Sequence, residues 1–127
     1  MQSTLLVFCG GGLGATLRFG VNGATLRWLG PSFPWATLGI NVAGSLVMGV
    51  VAGALARAAA ESFALNARLF LMTGILGGFT TFSAFSLDAF TLWDRGEAAG
   101  AFAYVAASVV LSLAAVSLGL AIARPFA

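Results

Sequence analysis

Residues 73–86 read TGILGGFTTFSAFS and lie in the middle of a long apolar segment. The paired Gly77 and Gly78 are poor helix formers, and the β-branched Thr80 and Thr81 follow closely. A helix that enters this stretch is therefore predicted to unwind near residues 77–81. Unwound backbone in a bilayer must be buried in protein or line a polar cavity, because lipid cannot hydrogen-bond the freed groups. The alternative is a glycine kink whose freed groups bond to nearby Ser and Thr hydroxyls.

The composition is that of a membrane protein. Of 127 residues, 60% are hydrophobic and 8% are charged, against roughly 25% charged in soluble domains. The six basic residues are all Arg and are scattered singly, which does not form a nucleic-acid footprint. The absence of His and Lys removes the usual zinc ligands and catalytic pairs, so the protein is not expected to be an enzyme.

Four charge-poor segments are long enough to span a membrane. A hydrocarbon core about 30 Å thick requires about 20 mainly apolar helical residues. The segments cover about residues 4–28, 34–56, 67–93 and 98–123, with the break near 77–81 inside the third. The predicted fold class is an all-α membrane protein, organised as a single four-helix transmembrane domain over residues 1–127.

The positive charges do not fix the orientation of this bundle. Orientation follows the excess of Lys and Arg on one side of the membrane. One side would carry Arg57, Arg68 and Arg124, and the other Arg27, Arg95 and, at its edge, Arg18. Insertion in both orientations, which permits an antiparallel homodimer, and a single topology fixed by one dominant Arg both agree with this balance.

Two polar stripes follow the second and fourth spans at helical spacing. They consist of Thr37, Asn41 and Ser45 on the second helix and of Tyr104, Ser108 and Ser112 on the fourth. Hydroxyl and amide donors without a ring of carboxylates suit a small anion better than a cation. The stripes favour a donor-lined ion path, while interhelical hydrogen bonding remains the alternative for a single Ser or Thr.

Aromatic and basic residues add to this hypothesis. Phe82 and Phe85 share one face of the helix after the break, and the positive edges of their rings could face an anion, although packing is the usual role of such a pair. Arg18 would add positive charge to the path or would instead bond to backbone carbonyls or reach the interface. Carbonyls freed at two breaks that meet at a dimer axis would suit a bare cation.

Small residues recur at the spacing used for close helix contacts. The pairs are Gly10 with Gly14, Gly49 with Gly53, and Gly74 with Gly78. In lipid, small residues let two helix backbones approach and gain dispersion contacts. The sequence therefore predicts tight helix packing without saying which helices meet.

These motifs resemble the Fluc (CrcB) family of bacterial fluoride channels. The matching segments are residues 11–19, 37–45 and 77–86, and with the four-span layout the resemblance covers essentially the whole chain. Ala36 stands where a Gly is expected, and Asp88 stands where Glu is also familiar.

The resemblance implies passive, selective export of fluoride across the bacterial inner membrane by an antiparallel dual-topology homodimer with two pores. Asn41 would donate to fluoride, and Phe82 and Phe85 would flank the ion. Tyr104, Ser108 and Ser112 would form a polar track. Further implied contacts come from Thr81 and Ser83 hydroxyls, from Arg18 in the vestibule, and from Gly77 and Thr80 carbonyls that would hold a structural sodium ion at the dimer interface.

Two other classes remain open on the residues alone. A small dual-topology, proton-coupled drug exporter needs a titratable carboxylate at bilayer depth, and Asp88, well past the break, is the only carboxylate within a span. A structural membrane subunit without transport is the second alternative. Fluoride flux independent of a proton gradient would distinguish the channel from both.

Overall fold

The computed structural model describes residues 1–56 and 61–123. Four helical spans are long and apolar enough to cross a membrane. They are Gln2–Leu29, Trp35–Leu55, Glu61–Asp94 and Ala98–Ala123. No strand occurs in the described part. These spans confirm the all-α membrane fold. Two of the six arginines in the orientation count, Arg57 and Arg124, lie outside the described residues.

The helices are α1 (Gln2–Leu29), α2 (Trp35–Leu55), α3 (Glu61–Ala67), a π-helix (Arg68–Leu76), α4 (Gly77–Phe79), α5 (Phe82–Asp94) and α6 (Ala98–Ala123). The third span therefore begins at Glu61, earlier than the predicted start near residue 67, and its first half contains a wide π-helical stretch that no sequence pattern indicated. The organisation as one domain over the whole chain stays a prediction.

The third span breaks just after its glycines. Gly77 is helical, with φ −65° and ψ −36°, whereas Thr80 (φ −77°, ψ 157°) and Thr81 (φ −154°, ψ 119°) are extended. The break lies within the predicted window, but the paired glycines do not cause it by unwinding. Gly78 is needed for contact, because a Cβ there would collide with the Gly11 carbonyl of α1.

Glycine contacts set which helices pack together. A Cβ on Gly10 of α1 would lie 2.9 Å from the Cα of Gly74, and one on Gly49 of α2 would lie 2.9 Å from the backbone nitrogen of Leu120 in α6. Such separations leave no room for a side chain, so α1 packs on the third span and α2 packs on α6. These contacts confirm the predicted tight packing.

Most large apolar side chains point away from the bundle. Phe8, Trp28 and Phe82 are 77%, 86% and 78% exposed, whereas the largest fully buried side chains are Tyr104, Ile40 and Leu92. An apolar outer surface of this extent is expected for a bundle whose surroundings are lipid rather than water.

Candidate ion pathway

The break faces a cavity of about 360 Å³ between α2, α5 and α6, called here the central cavity. Its polar lining consists of Asn41, Ser45, Thr80, Thr81, Ser108 and Ser112. Phe82 and Phe85 line it from the first turns of α5. The break therefore opens onto a polar space, as irregular backbone at membrane depth requires.

Asn41 binds the broken backbone from the opposite helix. Its Nδ2 donates to the Thr81 carbonyl at 3.0 Å, and the Thr81 N–H donates to its Oδ1 at 2.8 Å. The side-chain amide thus satisfies both backbone groups of the extended Thr81, in the way a neighbouring strand would. The sequence placed Asn41 beside the path but did not indicate this pairing.

Side chains also close the two helix ends at the break. The Thr81 Oγ1 accepts from the Ala84 N–H at 3.2 Å and so caps α5. The Thr80 hydroxyl donates to the Leu76 carbonyl at 2.8 Å. Extended backbone is well suited to β-branched residues, and these hydroxyls explain why the break falls on the Thr pair.

Because of these hydrogen bonds, two carbonyl oxygens lack the N–H donors that they would have in a continuous helix. In a continuous α-helix the Thr81 and Ala84 N–H groups would donate to the carbonyls of Gly77 and Thr80, four residues earlier. Here those donors bond to Asn41 Oδ1 and Thr81 Oγ1 instead. Within the described residues no hydrogen bond reaches the Gly77 or Thr80 carbonyl.

Three aromatic rings follow one another beside the central cavity. The Phe82 and Phe85 ring centroids are 5.3 Å apart at an interplanar angle of 47°. The Phe85 and Tyr104 centroids are 5.4 Å apart at 39°. Phe82 is 78% exposed whereas Phe85 is 9% exposed, so one ring of the predicted pair lies on the protomer surface and the other belongs to the core.

A second cavity, called the outer cavity, opens at the end of the bundle where the α1–α2 and α5–α6 loops meet. It has a volume of about 510 Å³, and its lining includes Thr37, Asp88 and Arg95. Tyr104 is fully buried, packs against Phe85 of the central cavity, and donates through its hydroxyl to Asp88 Oδ2 at 3.3 Å. Tyr104 therefore separates the two cavities.

Ser108 carries a buried hydroxyl without a partner. The residue lines the central cavity and is 5% exposed, and its Oγ makes no hydrogen bond to any described residue. Many other hydroxyls of the bundle, such as that of Ser117, donate to the carbonyl four residues earlier. The Ser108 hydroxyl therefore holds no hydrogen bond that an ion or a water in the cavity would have to break.

The structure brings together seven of the predicted site residues on the central cavity: Asn41, Thr80, Thr81, Phe82, Phe85, Ser108 and Ser112. Ser83 instead shares a hydrogen bond of 3.2 Å with the Thr81 hydroxyl, and Tyr104 lies behind the cavity. Arg18 is half-buried on α1 and lines neither cavity. Asp88, the lone carboxylate within the predicted spans, accepts a hydrogen bond from Tyr104 that no sequence pattern indicates.

A metal site made from side chains is not found. Among the described residues no group of three or more His, Cys, Asp or Glu side chains lies together. The freed Gly77 and Thr80 carbonyls are the donors that a hard monovalent cation would use, since carbonyl oxygens can replace its hydration shell. The donor set at the break therefore fits the sodium ion that the resemblance implied.

A helical bundle with four spans, a broken third span and a cavity with polar groups beside the break is a multi-pass membrane protein. The sequence model of a family described as "CrcB-like protein, Camphor Resistance (CrcB)" matches residues 5–120. The chain belongs to the CrcB family, which confirms the resemblance found in its motifs.

Named relatives match along their full length. The "Fluoride-specific ion channel FluC" of Rhizobium leguminosarum bv. trifolii (strain WSM2304) is 54% identical over 127 residues, covering 100% of both chains. The protein of that name from Rhodopseudomonas palustris (strain BisB5) is 55% identical over 120 residues, covering 94% of this chain and 95% of the relative. The one from Paracoccus denitrificans (strain Pd 1222) is 54% identical over 125 residues, covering 98% and 97%.

Proposed function

We infer that this chain forms a fluoride-selective channel of the bacterial inner membrane and that it exports fluoride passively. The relatives are named fluoride-specific ion channels, and they match this chain over nearly its whole length. The observation that carries the inference within this chain is the buried, unpartnered Ser108 hydroxyl on a cavity that Asn41, Phe82 and Phe85 also line. An unsatisfied buried hydroxyl costs about 1–3 kcal/mol, which a permeating anion or water would offset.

Asn41 has one donor left for the ion. A side-chain amide has two N–H groups, and one of them donates to the Thr81 carbonyl. The second N–H is available on the central cavity. Because Oδ1 is fixed by the Thr81 N–H, the amide cannot flip and present its oxygen, so the path meets a fixed donor.

The phenylalanine pair supplies an apolar wall with positive ring edges. Rings tilted at 47° to each other can direct an edge, where the partial positive charge lies, at an ion beside them. Fluoride is small and strongly hydrated, so a path must replace its water by convergent donors. Chloride is larger, and a passage fitted to fluoride is expected to exclude it.

A second copy is required to close the path. Phe82 is 78% exposed in a single protomer, and Gly77 is also exposed. We propose an antiparallel homodimer of dual topology, in which the partner covers these residues and two pores result. The near balance of arginines between the two sides supports insertion in both orientations. Arg18, half-buried on α1, would attract fluoride into a vestibule.

The dimer axis is proposed to hold a structural sodium ion. Each protomer would offer the Gly77 and Thr80 carbonyls, both of which lack the helical donors they would have in an unbroken helix. The bound cation would supply positive charge that stabilises the approach of two sets of carbonyl dipoles, which repel each other otherwise. Ser83 and Thr81 hydroxyls would add contacts near the path.

Efflux from reconstituted liposomes tests the proposed function. Vesicles loaded with potassium fluoride should release fluoride when a potassium ionophore is added, and vesicles loaded with chloride should not. Imposing or collapsing a proton gradient should leave the rate unchanged. Chloride efflux at a comparable rate, or fluoride efflux that requires the proton gradient, would rule out a fluoride-selective channel.

A further inference from the structure

The Asn41 amide occupies a position between the central cavity and the broken backbone. It lines the cavity from α2, and both of its functional groups reach Thr81 across the interhelical space. The Thr81 N–H that it accepts would donate to the Gly77 carbonyl in a continuous helix. One side chain therefore holds the N–H group that would otherwise be the helical donor to the Gly77 carbonyl.

A helical hydrogen bond from the Thr81 N–H to the Gly77 carbonyl would need only a local change in the backbone. Gly77 itself keeps helical dihedral angles, φ −65° and ψ −36°, and the Thr80 N–H still donates to the Leu76 carbonyl at 2.9 Å. The helix is intact up to the last turn, so a change at Thr80 and Thr81 alone would add one more helical bond. Without an acceptor on α2, the Thr81 N–H would lose the partner that it has among the described residues.

We propose that Asn41 is a positioning residue for the cation site. Its Oδ1 accepts the hydrogen bond from the Thr81 N–H and so keeps the Gly77 carbonyl free to bind the central monovalent cation. The inference rests on the proposed dimer and its cation. Asn41 then has two roles, because its Oδ1 prepares the cation site while its second Nδ2 hydrogen serves the anion path.

Two substitutions separate these roles. In Asn41→Leu, both bonds to Thr81 are lost, and the Thr81 N–H is free to return to the Gly77 carbonyl. In Asn41→Asp, the carboxyl group in its protonated form can make both bonds to Thr81 but lacks the second N–H. Ser45→Ala is the matched control, because Ser45 lines the same cavity one turn away on α2 and has no hydrogen bond to Thr81 within the described residues.

The readout is the carbonyl carbon resonance of Gly77 during a sodium titration of full-length protein in nanodiscs, with N-methylglucamine as the replacing cation. Labelling glycine at its carbonyl carbon and its nitrogen selects Gly-Gly peptide bonds, so the Gly77 signal is observed with those of Gly10 and Gly11 as internal controls. The Gly77 signal should move with sodium in wild type, in Asn41→Asp and in Ser45→Ala, with midpoints within twofold of one another.

In Asn41→Leu the sodium midpoint should rise by about fivefold to tenfold, since the cation would have to displace one hydrogen bond of ordinary strength. Asn41→Ala, which adds no volume, gives the same comparison if Asn41→Leu does not fold. The inference would be overturned if these two variants had the same sodium midpoint as the wild-type protein. It would also be overturned if the Gly77 resonance of the wild-type protein did not move with sodium. Wild-type fluoride efflux, measured separately, reports on the proposed function independently of either result.

Discussion

The rings of Phe85 and Tyr104 lie 5.4 Å apart and together separate the central cavity from the outer cavity. Phe85 lines the central cavity, while the Tyr104 hydroxyl bonds to Asp88, which lines the outer cavity. An ion that used both cavities would pass beside these two rings.

Tyr104→Phe should weaken both the proposed path and the fold. The change keeps the ring but removes the donor to Asp88, and loss of one such hydrogen bond costs about 0.5–1.5 kcal/mol. Thermal unfolding in detergent should shift downward, and fluoride efflux should slow because the predicted polar track loses the Tyr104 hydroxyl. Asp88→Asn retains an acceptor for the hydroxyl and should shift the unfolding temperature less. Equal shifts for both variants would mean that the hydrogen bond at 3.3 Å contributes little.

Ser108→Ala should affect function and stability in opposite directions. Removing a buried hydroxyl that has no partner should leave the unfolding temperature unchanged or raise it, because no hydrogen bond is lost. Fluoride efflux should fall about tenfold if the hydroxyl contributes about 1.4 kcal/mol to the ion in transit. Ser117→Ala is the control, since Ser117 is exposed and bonds to Leu113 of its own helix. A stability loss without a change in efflux would contradict the assignment.

Phe82→Leu should reduce fluoride efflux with little effect on folding. Leu keeps an apolar side chain but has no positive ring edge, and Phe82 is too exposed in the protomer for its truncation to leave a core cavity. Phe90→Leu makes the same change on α5 at a residue that is 66% exposed and does not line the central cavity. If the two variants conduct fluoride equally well, the ring-edge role is wrong.

Gly49→Ala should destabilise the contact between α2 and α6. A methyl group there would collide with the Val116 carbonyl and lie 2.9 Å from the Leu120 nitrogen, and overpacking of this kind costs about 1–3 kcal/mol. Gly39→Ala, on the same helix, meets nothing within 4 Å and should be neutral or stabilising, because Ala favours a helix over Gly. Thermal unfolding of the purified variants measures the difference.

Dual topology predicts labelling from both sides of the membrane. Ser32 and Ser62 lie near opposite ends of the bundle and are both exposed. In a Cys9→Ala background, Ser32→Cys and Ser62→Cys should each react to about half with an impermeant maleimide applied outside spheroplasts, as expected when neither side has an excess of Arg. Complete labelling of one variant and none of the other would establish a single topology.

Sequence alone predicts the membrane fold, the four spans and a break near residues 77–81, because these follow from hydropathy, length and helix propensity. It also identified the two polar stripes, since helical spacing fixes which residues share a face. The motif resemblance then gave the family.

The way the helices pack sets which polar groups pair with one another. The pairing of Asn41 with Thr81, forty residues apart, depends on how α2 meets the broken span, and spacing within one helix carries no such information. The same holds for the exposed Phe82, the buried Phe85 and the unpartnered Ser108. Gly77 and Gly78 show most directly what helix propensity cannot predict. Their poor helix propensity predicted unwinding at the glycines, but Gly78 packs against α1. The break lies at the two threonines, where side-chain hydrogen bonds stabilise it.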